Sequence, residues 1–349
     1  MGKLILEDGT ILEGSSFGAK KNTAGEVVFN TSMTGYVESL TDPSYFGQIL
    51  VLTYPLVGNY GVPDKKYFQS KKIQIPGLIV SQNCSTPSHY QSKQSLDAWL
   101  TKNNVPAISG IDTRALTQKI REKGTILGKI IVNDETINFY DPNKENIVAK
   151  VSLTKPQIFK SKRGKKLVCL LDCGCKKAIL DNLLARDLNV LVVPWNFNLF
   201  DSPYAKKISG LLIFNGPGDP KMVDSTIKTT AIAIKRKIPI LGICLGNQVL
   251  ALAAGAQTYK LKFGHRSVNQ PVKNLKNNRC YITSQNHGFA VKTESLPRGW
   301  EPLFVNLNDL TNEGIISKDK LMVGVQFHPE GHPGPEDTDF VFDDFVKKL

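Results

Sequence analysis

Cys244 sits between two glycines, in Leu241-Gly242-Ile243-Cys244-Leu245-Gly246-Asn247-Gln248. A short apolar run over 238–243 leads into it, and an Ala/Leu-rich helical pattern follows and stops at Gly255. This is the strand–turn–helix setting of a nucleophile elbow, with Cys where the better-known versions carry Ser. Glycines two residues either side let strand and helix backbones cross closely and hold the Cys at a strained apex. A thiol at a helix N-terminus gains from the helix dipole, which favours the thiolate, the species that attacks. A free Cys is most often a small buried hydrophobe, so the pattern alone leaves both readings open.

Two further features fall at the ends of apolar runs. Asn215-Gly216-Pro217-Gly218-Asp219-Pro220 follows Leu211-Leu212-Ile213-Phe214. It makes a rigid turn whose backbone N–H groups can face an oxyanion or a substrate amide. Val325-Gln326-Phe327-His328-Pro329-Glu330 puts a His just past a strand pattern and a Glu two residues on. Such a pair can supply a general base and its orienting carboxylate, and Cys, His and an acidic residue form a recognised triad variant. His265, His287 and His332 compete with His328 for the base. His287 also follows a strand pattern and suits a pocket wall, and His332 lies in a Gly/Pro loop. His328 and His332, like Cys169 and Cys173, stand four residues apart, but neither pair has a matching second pair, and no metal site is expected.

The elements that must position these residues divide the chain. Residues 1–60 are β-rich, with a hairpin signal at Asp8-Gly9 and apolar strand patterns over 47–54 and 73–81. Helical patterns follow over 95–102 and from Asp112 to Gly124. A polar stretch then leads into regular strand–helix alternation over 166–243, which implies parallel βαβ units with sites at strand carboxyl ends. Shorter strands at 257–262, 281–284 and 321–326 and a closing helix at 338–348 complete the pattern. We therefore expect an α/β protein: a β-rich α+β domain over 1–150, a linker over 151–165, and a flavodoxin-like α/β domain over 166–349.

Bulk properties narrow the function. The chain has 349 residues and a net charge of +13, but its basic residues are scattered and lack interleaved aromatics, which argues against nucleic-acid binding. Six cysteines form no CxxC pair and no even framework, as expected in a reducing compartment. There is no apolar stretch of about 20 residues and no leader-like h-region near Met1. The expectation is a soluble protein without membrane association, cytoplasmic, or in the plastid stroma if organelle-encoded.

Taken together, GICLGNQ, NGPGDP, SQNHGF and QFHPE resemble class I (triad-type) glutamine amidotransferases. FNTSMTGYVESLTDPSYFGQILVLTYPLVGN, ISGIDTRALT and HPGPEDTDFVFDDF resemble the small subunit of carbamoyl-phosphate synthetase. The resemblance runs over essentially the whole chain, in the family's order. It implies that Cys244 is the nucleophile, His328 its base and Glu330 the orienter in hydrolysis of L-glutamine through a γ-glutamyl thioester. It implies an oxyanion hole from the N–H groups of Leu245 and Gly218, and further glutamine contacts at Ser44, Gly216, Gln248, Asn286, Gly288 and Phe289. Ser44 lies in the N-terminal domain, so the implied pocket is shared between domains. It further implies ammonia delivery to a large synthetase subunit, in a heterodimer or a higher oligomer of it, for pyrimidine and arginine biosynthesis. ATP and Mg would be used by that subunit; this chain has no GxxxxGK[ST] loop and needs no cofactor of its own. Alternatives are an amidotransferase serving another synthetase, a catalytically inactive regulatory subunit, or a cysteine peptidase on the same elbow. Departures from the family pattern are Asn247, where a His is usual, Cys173 and Cys175 in a DFGV-like segment, the 264–271 stretch, and Gly331-His332.

Overall fold

In the computed structural model, which describes residues 1–349, the chain falls into two units, Met1–Lys144 and Glu145–Leu349. In the first, the Asp8-Gly9 turn joins β1 (Gly2–Leu6) to β2 (Ile11–Gly18) as an antiparallel hairpin. There follow β3 (Thr23–Asn30), α1 (Tyr36–Thr41), β4 (Gln48–Val57), β5 (Gly77–Asn83), α2 (Leu96–Lys102), β6 (Pro106–Ser109), α3 (Thr113–Lys123) and β7 (Ile126–Ile131). The strands close into a barrel in the order β1-β2-β6-β5-β4-β3-β7. β4 runs on through Pro55, where the sequence pattern places its end; its register with β5 shifts between Leu52 and Leu56. A break of that kind accommodates a residue with no N–H to donate. Ser95 and Asp112 cap the two longer helices through the N–H groups of Ala98 and Ala115, at 3.2 and 2.9 Å. The barrel packs over Val28, Leu40, Leu50, Leu78 and Trp99.

The second unit contains α4 (Val148–Val151), β8 (Gln157–Phe159), β9 (Lys166–Asp172), α5 (Lys177–Ala185), β10 (Leu188–Pro194), β11 (Ile208–Ile213), α6 (Asp224–Lys235) and β12 (Ile240–Ile243). It continues with α7 (Leu245–Ala254), β13 (Thr258–Asn274), β14 (Cys280–Val291), β15 (Trp300–Asn306), β16 (Asn312–Ser317), β17 (Met322–Val325) and α8 (Phe340–Val346). All ten strands form one sheet, ordered β14-β13-β15-β16-β17-β12-β11-β9-β10-β8. Its parallel centre, β10-β9-β11-β12-β17, has the 2-1-3-4-5 order of flavodoxin-like sheets, in which ligands gather at strand carboxyl ends. These strands read as unbroken apolar runs because both faces are covered. On β12, Leu241 and Ile243 face one buried cluster, while Ile240 faces the other, which includes Leu245, Val249 and Leu250 of α7.

The sequence pattern and the structure differ at three places in this unit. The stretch read as linker holds β8, which pairs antiparallel with β10; three residues are too few to display a period. The strand read at 257–262 extends to Asn274, across His265, Arg266 and Ser267, which are polar but buried. β15 and β16 lack a readable alternation, because Asn306, Asn312 and Glu313 are buried and held by hydrogen bonds, Asn306 to Glu313 and Asn312 to Thr293.

Candidate active site

The turn from β12 into α7 is as tight as its glycines allow. A Cβ on Gly242 would lie 2.4 Å from the Gly246 carbonyl oxygen, and one on Gly246 would lie 2.0 Å from that of Ile213. Cys244 at the apex has φ 56° and ψ −106°, a sparsely populated conformation for a residue with a side chain. Its N–H donates to the Val325 carbonyl at 2.8 Å, tying the apex to the adjacent strand. The side chain is 2% exposed, and Sγ lies 3.5 Å from the carbonyl oxygen of Asn286. Leu245 opens α7, so its N–H is among those a helix leaves without an internal partner.

His328 leaves the end of β17 and is held by its own N–H, which donates to the Ser284 carbonyl at 2.9 Å. Its Nδ1 lies 2.8 Å from Glu330 Oε1, and both residues are buried. Burial opposes charging the imidazole, but the Glu330 carboxylate outweighs it and the neighbouring Cys244 adds to it, so the His328 pKa is pushed up to about 10. Nε2, the nitrogen away from Glu330, is buried and has no hydrogen-bond partner of ordinary geometry. Burial likewise opposes ionisation of Glu330. The Lys176 ammonium and His328 overcome that and lower it to about 2. At neutral pH the pair is therefore imidazolium and carboxylate.

Lys176 was not anticipated from the sequence. It caps α5 just past the end of β9, is buried, and places Nζ 2.7 Å from Glu330 Oε1 and 3.2 Å from the Gly331 carbonyl. The only sequence signal is its place at a strand carboxyl end; a Lys before a helix otherwise reads as solvated. Lys176 lowers the pKa of both Glu330 and His328. Because Glu330 has a folded-state pKa below its ordinary value of 4.5, its contribution to stability is present above that value and is lost as pH falls through about 2. In Lys176→Met the folded-state pKa rises and that loss begins at higher pH. Urea midpoints measured from neutral pH downward should fall earlier in the variant, and parallel curves would contradict the assignment.

Gln248 lies one turn along α7 from Cys244 on the same face. Its Nε2 donates to the Phe289 carbonyl at 2.7 Å and to Gln326 Oε1 at 3.1 Å. Asn247 also donates to Gln326 Oε1, at 3.2 Å, and packs against Gly324, where a Cβ would come within 2.2 Å of Asn247 Oδ1. Asn247 is thus a filler of the α7–β17 contact rather than a residue turned toward Cys244, and Gln326 is a second participant not anticipated from the sequence. Gly216 lies against Leu245 and the Cys173 carbonyl, with no room for a side chain, and Gly218 has φ 84°. Gly288 lies beside the Arg266 guanidinium. The structure thus gathers Cys244, His328, Glu330, Leu245, Gly216, Gln248, Asn286 and Phe289 at the carboxyl end of the parallel sheet. Ser44 lies in the first unit, buried, with its N–H donating to Asp42 Oδ1 at 2.9 Å.

The competing histidines are engaged elsewhere. His265 sits between Asp309 and Glu313; burial opposes its charging, but the two carboxylates raise it to about 9. Burial and the adjacent His265 push His287 well below its ordinary value. His332 Nδ1 lies 2.6 Å from the Glu330 carbonyl.

Comparison with known proteins gives the family. Residues 4–130 match the family model "Carbamoyl-phosphate synthase small chain, CPSase domain", and residues 169–348 match "Glutamine amidotransferase class-I". The multifunctional protein CAD of Squalus acanthias is 47% identical over 99% of this chain, and the match spans 16% of that protein. The multifunctional protein URA2 of Saccharomyces cerevisiae is 44% identical over 99% of this chain and 17% of its own length. A mitochondrial carbamoyl-phosphate synthase [ammonia] of Aquarana catesbeiana is 46% identical over 99% of this chain and 24% of its own. This chain therefore spans less than a quarter of the length of these relatives. With one model covering the barrel unit and the other covering most of the unit that holds Cys244, the chain belongs to the class I glutamine amidotransferase family and carries a carbamoyl-phosphate synthase small-chain domain ahead of it.

Proposed function

We propose that this chain is the glutamine-hydrolysing part of a carbamoyl-phosphate synthase, supplying ammonia to a synthetase part that uses ATP, Mg and bicarbonate. The observation that carries the reading is the buried His328–Glu330 pair, 2.8 Å apart, beside a Cys held at a strained strand–helix apex. The Cys244 thiolate attacks the side-chain amide carbon of glutamine, and the carbonyl oxygen becomes an oxyanion facing the N–H groups of Leu245 and Gly218. The His328 imidazolium gives its Nε2 proton to the departing nitrogen, which leaves as ammonia, and a γ-glutamyl thioester remains on Cys244. Water then attacks the thioester with His328 as base; glutamate departs and the thiolate returns. Gln248, with its Nε2 committed to Phe289 and Gln326, offers its carbonyl oxygen to the substrate. Gly216, Asn286, Gly288, Phe289 and Ser44 complete the contacts.

The multifunctional names and greater length of CAD and URA2 support a synthetase partner, fused or separate. One relative named for ammonia favours a second reading, in which this unit serves without hydrolysing glutamine. One experiment separates the two. The protein is incubated with glutamine, quenched in acid, and its Cys244 peptide is weighed by mass spectrometry. In parallel, glutamine and ammonia are compared as nitrogen donors with the synthetase part present. A γ-glutamyl adduct together with glutamine-supported carbamoyl phosphate is expected. No adduct, with synthesis from ammonia alone, would replace the first reading with the second.

A further inference from the structure

Strands β13, β14 and β16 gather three buried side chains that the proposed glutamine chemistry leaves unused. His265 and His287 are cross-strand neighbours, their rings 4.9 Å apart and nearly perpendicular at 84°, and Glu313 on β16 is fully buried beside them. Linear spacing predicts no metal ligands here; antiparallel pairing places them side by side.

Each ring is anchored through one nitrogen. His265 Nε2 lies 2.8 Å from Asp309 Oδ2, so its N–H points there and Nδ1 faces Glu313 Oε1 at 3.2 Å. His287 Nδ1 lies 2.9 Å from the Phe289 carbonyl, which can only accept, so Nδ1 carries the proton and Nε2 a lone pair. That lone pair faces Gln285 Oε1 at 3.1 Å and Glu313 Oε1 at 3.9 Å. Gln285 cannot turn to help, because its Nε2 already donates to Glu313 Oε2 at 3.0 Å and Thr283 Oγ1 at 3.1 Å. Moving the His287 proton to Nε2 only transfers the mismatch to the Phe289 carbonyl. With Gln285 so placed and Glu313 ionised, satisfying every contact with protons requires two imidazolium rings edge to face in the core, which burial and mutual repulsion oppose. A divalent ion satisfies His265 Nδ1, His287 Nε2, Gln285 Oε1 and Glu313 Oε1 at once; Glu313 Oε1 also accepts from Asn306 Nδ2 at 3.1 Å, a group that lies 3.5 Å from His265 Nδ1.

We propose that His265 Nδ1, His287 Nε2 and Glu313 Oε1 bind a borderline divalent metal ion, best matched by zinc(II), with Gln285 Oε1 as the fourth donor. Two imidazoles and hard oxygen donors are a zinc-type set. Bonds of about 2.0–2.1 Å in a tetrahedron separate ligand atoms by about 3.3 Å, close to the 3.1 and 3.2 Å of two of the pairs, while His287 Nε2 and Glu313 Oε1, 3.9 Å apart, draw together on binding. The three ligand atoms lie within 4.8 Å of one another. Each His also has the outer partner that orients a metal-bound imidazole, a carboxylate on one and a backbone carbonyl on the other. Binding releases the His265 Nδ1 proton to solvent. The ion would also fix the Phe289 carbonyl, which Gln248 shares.

The test uses the full chain, dialysed against a chelator and titrated with zinc(II) in competition with a chromogenic chelator, then loaded with cobalt(II). One tightly held zinc per chain is expected, and a cobalt spectrum with visible d–d bands and no sulfur-to-cobalt charge transfer, which excludes the cysteines. Asp309→Asn, a change at a half-exposed side chain, should weaken zinc binding by roughly 10–100-fold, His265→Asn should weaken it further, and Cys280→Ser should leave it unchanged. Thermal melts establish that each variant is folded. If His265→Asn does not fold, the cobalt spectrum and Asp309→Asn decide. No stoichiometric zinc on the wild type, a sulfur charge-transfer band, or unchanged affinity in Asp309→Asn would each overturn the proposal.

Discussion

Cys244→Ser is expected to release glutamate from glutamine at least about 1,000-fold more slowly than the wild type while keeping its melting temperature within a few degrees. The substitution preserves the elbow: serine is slightly smaller, its Oγ can still donate to the Asn286 carbonyl that Sγ now faces at 3.5 Å, and the backbone at φ 56° is unchanged. What it removes is acidity. A hydroxyl needs a strong base beside it, and His328 is the wrong partner at neutral pH, because Glu330 holds it as the imidazolium with a pKa of about 10. A charged imidazole cannot take a proton from serine, though it can give one to departing ammonia. The site is therefore set for a nucleophile that loses its proton easily, and it does not convert to a serine hydrolase by exchanging one atom. Steady-state glutamate release and the disappearance of the γ-glutamyl adduct both measure the effect. Release as fast as wild type would remove Cys244 from the mechanism.

The elbow behind that expectation is legible in spacing as a candidate, because it is a local object: Gly242, Cys244 and Gly246 lie within five residues, and Glu330 stands two residues from His328; the roles of Cys244 and His328 are what the family resemblance implies. The parallel centre of the second sheet was legible for a similar reason, since strands covered on both faces read as continuous Val, Leu and Ile. What escaped the sequence depends on pairing between distant segments. Lys176 belongs to the site only because β9 ends beside β11 and its side chain reaches Glu330 in the loop that follows β17; nothing in its neighbouring sequence distinguishes it from a solvated lysine. The pairing of His265 with Glu313 lay in stretches where polar residues are buried, which erases the period-two alternation of β13 and β16. Barrel closure in the first unit rests on β7 pairing with both β1 and β3, contacts that no local pattern announces.

The glycines that made the elbow legible also make the second large prediction. Gly246→Ala should destabilise the second unit by more than about 4 kcal/mol or prevent its folding. The reason is space rather than conformation. A Cβ at 246 would sit 2.0 Å from the Ile213 carbonyl oxygen and 2.7 Å from its carbon, backbone atoms of β11 that cannot rotate aside as a side chain would. Relief requires α7 to move away from β11 and β12, which pulls Leu245, Val249 and Leu250 out of the buried cluster beneath it. It would also release Cys244, whose strained backbone persists only while the surrounding structure over-determines it. Gly255→Ala is the control. That glycine ends the same helix at φ 101°, and an alanine methyl there would meet nothing within 4 Å, so its cost is only the left-handed backbone penalty of about 1–2 kcal/mol. Denaturant midpoints of the two variants, followed by circular dichroism, should differ widely in that order. Equal midpoints, or a Gly246→Ala protein within about 1 kcal/mol of wild type, would mean that strand and helix do not cross as closely as the elbow requires.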